Sequence, residues 1–401
     1  MFYSLSAGVA NGSQAMKPAG AAANRSLTRR APGTSVRLFL CGDVMTGRAI
    51  DQIMPYPGDP KLYEPVVKSA NKYLALAEKA SGPIPRSVSP SYVWGDALAE
   101  LDRTRPDVRI VNLETTVTTA GDPWPDKPVH YRMNPANLPC LSAAKIDCCT
   151  LANNHILDWG YPGLKETLAR LHAAGIRTAG AGANLAEARA PSVIQLATGK
   201  RVLVFAYGSA SAGIPASWVA RARQAGVSTI DEDDPSAVSN VTTAIRAVKR
   251  PGDLAIVSIH WGSNWGYEIP SAQRSVAHRL IDEAGVDVVY GHSSHHPRPI
   301  EVHSGKLILY GCGDFLNDYE GIGHHPEYRP ELGLMYLPDL DAESGRLKRL
   351  MLVPIRVRKL RVNRATAEEA NWLREMLERE GRAFDTSFSL TRDGSLELVN
   401  Q

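Results

Sequence analysis

The chain has 401 residues, of which 44% are hydrophobic and 22% charged, as is typical of a globular protein with a sizeable core. A formal net charge of +3 argues against a dedicated nucleic-acid-binding protein, and no apolar run approaches the ~20 residues of a membrane span. We therefore expect neither a nucleic-acid partner nor an integral membrane anchor. Five cysteines without a CxxC motif predict buried free thiols and a cytoplasmic location.

The first 34 residues differ in composition from the rest of the chain. They are rich in Ala, Gly, Ser and Asn and show no periodicity, which predicts a disordered tail over residues 1–34. The basic pair Arg29 and Arg30 comes late and no apolar stretch follows it, so a secretory signal is not predicted. Whether translation starts at Met1 or at Met16 stays open.

Short apolar runs recur from residue 36 onward, and each ends abruptly in polar or glycine residues. Such runs, rich in β-branched residues and without alternation, are typical of strands buried on both faces. The strands are predicted within residues 37–43, 108–114, 146–155, 202–208, 254–262, 286–296 and 307–314. Amphipathic helices between several of them, at 163–175 and 272–285, predict an α/β fold with a largely parallel central sheet.

The last part of the chain carries three further predicted elements. Residues 355–364 alternate apolar and basic side chains over part of their length, which predicts a half-buried strand with a basic face. Residues 366–384 are predicted to form a surface helix, and residues 385–400, with their Arg-Asp-Gly turn, a terminal hairpin.

Carboxylate, amide and imidazole side chains follow six of the predicted strands. Ligands of α/β proteins bind beyond the carboxyl ends of the strands, and buried polar groups cost free energy unless they are paired. These side chains therefore predict a shared metal or acid–base site rather than a structural polar network. Its candidate residues are Asp43, Glu114, Asn153, Asn154, His155, His260, His292, His295, His296 and Asp314.

The residue types at these positions limit the chemistry. Oxygen and imidazole ligands suit Mn, Fe, Zn, Mg or Ca, and the sequence does not choose among them. Asp158 follows His155 by three residues, and Asp314 is able to meet His295 across neighbouring strand ends. A histidine oriented by a carboxylate is a common acid–base device, and a supporting hydrogen bond is the alternative role for each pair.

Two loops supply candidate substrate-binding residues. Residues 122–135 form a proline-rich loop that carries Lys127 and Arg132, and residues 262–270 carry Trp265. Together with His296 they are candidates for holding a peptide carboxylate. Ordinary loop packing is the alternative.

Five separated motifs occur in one order along the chain. They are GDVMTGR (42–48), NLETTVT (112–118), LANNHILDWGYPGLKETL (151–168), SIHWGSNW (258–265) and VVYGHSSHHPRPIEVHSGKLILYGCGDF (288–315). Over about residues 36–355 the chain thereby resembles the CapA family of poly-gamma-glutamate capsule synthesis proteins. The resemblance implies an α/β/β/α sandwich like that of the calcineurin-like metallophosphoesterases. It also implies a CapA-like domain over residues 35–365, with the helix and hairpin of residues 366–401 appended.

The resemblance also assigns roles. The metal ligands it implies are Asp43, Glu114, Asn154, His260 and His292. His155 with Asp158, and His295 with Asp314, are the implied catalytic residues. Met45 stands where metallophosphoesterases carry a histidine, which weakens one of their two metal sites, so one firmly held divalent metal is expected.

The leading hypothesis is a metal-dependent enzyme that acts on a peptide or poly-gamma-glutamate-type substrate by His/Asp acid–base chemistry. A peptide Cα epimerase of a lasso-peptide-type pathway, a phosphoesterase and a non-catalytic capsule-assembly scaffold are the alternatives.

Overall fold

The computed structural model describes residues 33–323 and 325–399. The expected disordered tail and the question of Met16 concern residues that lie outside this part of the chain, apart from residues 33 and 34.

The described residues form strands and helices in alternation. The strands are β1 Ser35–Cys41, β2 Asp43–Val44, β3 Val108–Leu113, β4 Thr116–Val117, β5 Arg132–Met133, β6 Cys148–Thr150, β7 Arg177–Ala179, β8 Ala181–Gly182, β9 Ser192–Gln195, β10 Arg201–Gly208, β11 Gly226–Val227, β12 Leu254–His260, β13 Val288–His292, β14 Ile300–His303, β15 Lys306–Leu309, β16 Asp314–Leu316, β17 Leu332–Asp341, β18 Leu347–Val357, β19 Val362–Arg364, β20 Phe388–Leu390 and β21 Leu396–Leu398. The α-helices are α1 Arg48–Ile53, α2 Ala70–Ser81, α3 Asp96–Thr104, α4 Pro139–Ala143, α5 Gly160–Ala173, α6 Leu185–Arg189, α7 Ala237–Arg246, α8 Ser271–Asp282 and α9 Ala367–Glu380.

Two mixed sheets carry the fold. The larger runs β16-β2-β3-β1-β17-β18-β21-β20, with β6 and β7 continuing from β3 and β19 paired to β18. The smaller runs β14-β15-β13-β12-β10-β9, parallel in its centre and antiparallel at both edges. The strand–helix alternation predicted a largely parallel central sheet, whereas the strands divide between two mixed sheets, because alternation does not encode which strands share a sheet.

The side chains of the central strands explain the layers. In β1, Leu38 and Leu40 pack into the core between the two sheets, while Phe39 and Cys41 pack into the core beneath the helices. Strand β10 alternates in the same way between the inter-sheet core and the core under α7 and α8. Both faces of each sheet are therefore covered, and the predicted α/β/β/α sandwich is confirmed.

The C-terminal residues join the larger sheet. Strand β21 pairs with β18, and Thr366 and Glu369 form a reciprocal capping box at the start of α9. Residues 355–364 are not one strand, as the alternation predicted. The chain reverses after β18 at Lys359 and Leu360, which have φ of 58° and 55°, and returns as β19.

Two further findings concern the cysteines and the helices. All five cysteines are buried and unpaired. Within the described ranges, no helix combines the length and the apolar character that crossing a bilayer requires.

Candidate metal and acid–base site

The carboxyl ends of strands from both sheets meet at one place. His260 and His292 are register partners at the ends of β12 and β13 in the smaller sheet. In the larger sheet, Asp43 of β2 is the partner of Asp314 of β16 and of Asn112 of β3. The site is thus formed by strand ends from two sheets, whereas the sequence analysis expected the carboxyl ends of the strands of one sheet.

Three of the predicted metal ligands form a compact buried group. One ligand atom each from Asp43, Glu114 and His260 lie within 4.8 Å of one another. Glu114 Oε1 is 3.8 Å from His260 Nε2, and His292 Nδ1 is 3.0 Å from Asp43 Oδ1. All four residues are at most 4% exposed, so their polar atoms need partners inside the protein.

His292 and Asn154 each carry a polar atom at this place that lacks such a partner. His292 Nε2 and Asn154 Oδ1 are buried and accept or donate no hydrogen bond within the described part of the chain. An imidazole nitrogen and an amide oxygen are both metal-ligand atoms. Together with Asp43, Glu114 and His260 they form a donor set of the type that a divalent cation satisfies.

The pKa shifts of the residues in this cluster are also consistent with a cation site. Burial, together with the negative charges of Asp43 and Asp314, raises the pKa of Glu114 well above its usual value. Burial also lowers the pKa of His260 to about 3. Burial opposes ionisation of Asp43, but the hydrogen bond and charge of His292 outweigh it and lower the Asp43 pKa to about 2. Carboxylates crowded together in a buried place are the environment that a bound cation stabilises.

His155 and Asp158 form a buried dyad beside this cluster. His155 Nδ1 is 2.7 Å from Asp158 Oδ2, and its ring stacks on Tyr131 with centroids 3.9 Å apart. His155 Nε2 lies 3.8 Å from Glu114 Oε1. Burial, with the charge of Lys127, lowers the His155 pKa to about 4, so the ring is neutral at physiological pH.

His295 and Asp314 form a second dyad. His295 Nδ1 lies 3.1 Å and 3.2 Å from the two carboxylate oxygens of Asp314, which also accepts a hydrogen bond from Asn317. Burial opposes protonation of His295, but the charge and hydrogen bond of Asp314 outweigh it and raise the His295 pKa. The two imidazoles are therefore driven toward opposite protonation states, an arrangement suited to one base and one acid.

A cleft of about 800 Å³ opens over both dyads. Glu114, His155 and His295 line it, and so do the predicted substrate residues Lys127 and Trp265. Lys127 Nζ, however, lies 2.7 Å from Asp158 Oδ1, 2.7 Å from a backbone carbonyl and 3.1 Å from His155 Nδ1. The ammonium group is thus held by Asp158 and by the Val129 carbonyl, beside His155, rather than extended into the cleft.

The other two predicted substrate residues lie elsewhere. Arg132 packs its guanidinium 3.6 Å from the ring centroid of Trp159 and lines a separate, small pocket beside Asp51. His296 is fully buried and stacks on Tyr328, behind Trp265. A position in a loop that follows one of the site's strands does not predict which way the side chain points.

Several residues of the site carried no assignment from the sequence. Asn112 donates to Asp43 Oδ1 at 2.7 Å, and its side-chain oxygen accepts from Asn153 at 3.2 Å. Arg48 lines the cleft, held by Asp318 and Glu64, and Tyr131 and Tyr319 share a hydrogen bond of 2.8 Å across it. Arg48 and Asn112 lie inside two of the five sequence motifs, so the motifs pointed to both residues. Tyr319 follows the last motif, and no motif indicates it.

Met45 does not reach the site. It is 2% exposed and belongs to the apolar core under the larger sheet, with the Gly47 N–H 3.2 Å from its sulfur. The position therefore contributes packing rather than a ligand.

Comparison with known proteins covers most of the chain. A family model described as "Bacterial capsule synthesis protein PGA_cap" matches residues 37–319, the range that holds every strand-end residue described above. The chain is 48% identical over 365 residues to a probable polyglutamine synthesis accessory protein of Mycobacterium tuberculosis, covering 91% of this chain and 96% of that protein. It is 25% identical over 278 residues to the PGA biosynthesis protein CapA of Bacillus subtilis, covering 69% of this chain and 62% of that protein.

Proposed function

The chain belongs to the bacterial capsule synthesis protein family PGA_cap, and we propose that it is a metal-dependent enzyme that acts on a peptide or poly-gamma-glutamate-type substrate. The resemblance to CapA stated from the motifs is confirmed by this match and by the named relatives. The substrate class is proposed from those relatives' names, which refer to polyglutamine synthesis and to PGA biosynthesis.

The observation that carries the proposal is the donor set where the two sheets meet. Asp43, Glu114, His260 and His292 are the residues that would hold one divalent cation, with Asn154 as a further ligand. The unpartnered His292 Nε2 and Asn154 Oδ1 support this fit, because most buried polar atoms have a hydrogen-bond partner and a cation would bind both of these. When bound, a divalent cation supplies Lewis acidity at this place, and Mn, Fe, Zn, Mg and Ca all stay candidates.

The protein's own acid–base groups lie in the two dyads. Asp158 and Asp314 each bind the Nδ1 of a histidine, which leaves Nε2 of His155 and of His295 as the nitrogen that exchanges a proton with a substrate. Lys127 positions the first dyad by contacting both of its members. Trp265 offers the cleft an aromatic surface against which a peptide can pack.

The test compares metal content and activity in matched variants. The full-length protein, its His292→Ala and Glu114→Gln variants and a His172→Ala control are assayed with gamma-linked and alpha-linked glutamate oligomers. We expect the two site variants to lose activity and about one equivalent of metal. His172, an exposed residue bonded to Thr178, should affect neither. Full activity of the metal-free protein would contradict the proposal. Unaltered capsule-related function of the His292→Ala variant in cells would also contradict it, and would favour a non-catalytic scaffold.

One observation favours a second candidate, a Cα epimerase. Both His155 and His295 line the same cleft, and an epimerase needs a base on one face of a carbon and an acid on the other. Incubation with peptide in heavy water should then introduce deuterium at one Cα without cleavage. Fragments without exchange would reject this candidate in favour of hydrolysis.

A further inference from the structure

Two tyrosines connect the two dyads along the cleft. The Tyr131 ring stacks on the His155 ring with centroids 3.9 Å apart. The Tyr319 ring is nearly perpendicular to the His295 ring, with centroids 5.3 Å apart and an angle of 85°. The two tyrosine hydroxyl oxygens are 2.8 Å apart, so the four rings form one continuous row. All four residues line the cleft, so a substrate group that reaches both imidazoles lies beside this tyrosine pair.

The tyrosine pair has one hydroxyl proton without a partner. Each phenol carries one O–H, and a hydrogen bond between two hydroxyls uses only one of the two protons. Within the described residues, neither hydroxyl makes a second hydrogen bond. Burial raises the pKa of both phenols, and the negative charge of Glu114 adds to this effect, so both hydroxyls stay protonated. One O–H donor is therefore available to a ligand.

The exposure of the two side chains indicates which hydroxyl carries this donor. Tyr131 is 4% exposed, and its backbone N–H donates to Asp158 Oδ2 at 2.6 Å, whereas Tyr319 is only half-buried. We expect the buried Tyr131 to donate to Tyr319, which leaves the Tyr319 O–H to face the cleft. A hydroxyl that accepts one hydrogen bond is a stronger donor of the next.

A neutral donor beside two imidazoles suits reactions at a carbonyl group. In hydrolysis, water bonds to the carbonyl carbon, one imidazole takes its proton, and the C=O π electron pair moves onto the oxygen. The C=O bond then re-forms as the C–N bond breaks, and the other imidazole protonates the leaving amine. In epimerisation, one imidazole takes the Cα proton, and the C–H electron pair delocalises onto the same oxygen until the other imidazole returns a proton. Both reactions therefore place negative charge on one carbonyl oxygen, where an O–H donor stabilises it.

The cations beside this pair are already engaged. Arg48 and Lys127 line the cleft, but Arg48 Nε lies 3.1 Å from Asp318 Oδ2 and Lys127 Nζ lies 2.7 Å from Asp158 Oδ1. A cation held by a carboxylate has less charge to offer a substrate oxygen. The Tyr319 hydroxyl, by contrast, contacts another hydroxyl rather than a carboxylate.

We propose that the Tyr319 hydroxyl donates a hydrogen bond to the substrate carbonyl oxygen on which negative charge develops, and that Tyr131 positions this hydroxyl. The ligand group is the carbonyl of a peptide or gamma-glutamyl amide. The inference rests on the proposed function, and it applies to hydrolysis and to epimerisation alike, because both place charge on that oxygen.

The test removes single hydroxyl groups. The full-length wild-type protein is compared with Tyr319→Phe, Tyr131→Phe and the double variant on gamma-linked glutamate oligomers. We expect Tyr319→Phe to lower kcat roughly 100-fold with little change in KM, because the charge develops only in the transition state. Tyr131→Phe should lower kcat less, and the double variant should match Tyr319→Phe, because Tyr131 acts through Tyr319. Phenylalanine keeps the ring contacts with the imidazoles, and circular dichroism checks the fold.

Tyr92→Phe is the matched control. The Tyr92 hydroxyl donates to the Lys359 carbonyl at 2.9 Å, and Tyr92 is not among the described residues that line the cleft. Its replacement should leave kcat unchanged. An equal kcat of Tyr319→Phe and Tyr92→Phe would overturn the proposal, and so would a double variant whose loss is the product of the two single losses.

Nuclear magnetic resonance separates binding from turnover. With tyrosine isotope-labelled at Cζ, the Tyr319 signal is identified by its loss in Tyr319→Phe and should shift when the oligomer binds. A shift without turnover would contradict the proposed enzymatic function but support the hydrogen bond. No shift at millimolar oligomer would overturn the inference, whether or not the oligomer is turned over.

Discussion

Met45 occupies the position at which the resemblance to metallophosphoesterases places a histidine. Its side chain packs in an apolar core and is 2% exposed, so an imidazole at this position would be buried beside apolar groups. We expect Met45→His to leave the metal content unchanged and to lower the free energy of unfolding by about 1–3 kcal/mol. Elemental analysis and urea unfolding measure the two effects.

A Met45→Leu variant controls for the loss of the thioether. Because Leu preserves the apolar volume, its cost should stay below about 1.5 kcal/mol. A second equivalent of metal in Met45→His, with stability preserved, would show that the position does face the site.

Single residues of the site differ in how far the sequence predicts them. Asp43, His260 and His292 directly end or begin buried strands, and the structure brings them together because sheet geometry fixes where strand ends lie. Their roles as ligands stay a prediction. Arg132 begins the two-residue strand β5 and Tyr319 lies in a loop, and the position of both depends on contacts with distant segments, so no local pattern indicates that Tyr319 faces the cleft and Arg132 does not.

At the level of elements, helix α5 anchors the loop that leads to Lys127. Glu166 of α5 accepts hydrogen bonds from the Thr118 hydroxyl at 2.7 Å and from the backbone N–H groups of Thr119 and Ala120 at 2.9 Å and 3.2 Å. Burial opposes ionisation, but the bonds from Thr118, Thr119 and Arg170 outweigh it and lower the pKa of Glu166 to about 2.

We expect Glu166→Gln to destabilise the protein by about 1 kcal/mol at neutral pH, because the amide accepts these hydrogen bonds without a charge. Since the folded pKa lies below the ordinary value of 4.5, the carboxylate stabilises the fold above pH 4.5. The difference between variant and wild type should therefore shrink as the pH falls from about 4.5 toward about 2. Urea unfolding at several pH values measures it.

Glu283→Gln is the matched control for this prediction. Glu283 also pairs with an arginine four residues away, Arg279, but it lies at the exposed end of α8 and binds no loop. Its replacement should leave the free energy of unfolding nearly unchanged. An equal effect of both substitutions would mean that the helical ion pair, and not the loop anchor, matters.

Elements with a strong periodic signal were predicted more closely than short ones. The predicted helix at 163–175 is observed as Gly160–Ala173, and the strand predicted within 254–262 as Leu254–His260. The error at 355–364 arose because the prediction extended the strand across Arg358 and Lys359, two consecutive basic residues at which the alternation is interrupted and the chain reverses. Neither Lys359 nor Leu360 is a usual turn former, so the pairing of β18 with β19 is what identifies the interruption as a turn.

For the whole molecule, the sequence indicated buried strands but not their division between two sheets. Leu38 of β1 and Val204 of β10 pack in one core between the sheets, although their strands never pair. Such contacts depend on long-range packing, which single-strand patterns do not contain. The resemblance to CapA supplied the sandwich that the residues alone could not.

This division has a consequence for stability. Asp43 and Glu114 belong to the larger sheet and His260 and His292 to the smaller, so a cation held by them joins the two halves of the sandwich. We expect chelation to lower the Tm, and Mn²⁺ at 100 times its dissociation constant to raise the free energy of unfolding by about 2.7 kcal/mol. Scanning calorimetry measures both changes. Adding His292→Ala should abolish the response to Mn²⁺, whereas a Tm that chelation leaves unaltered would contradict a cation between the sheets.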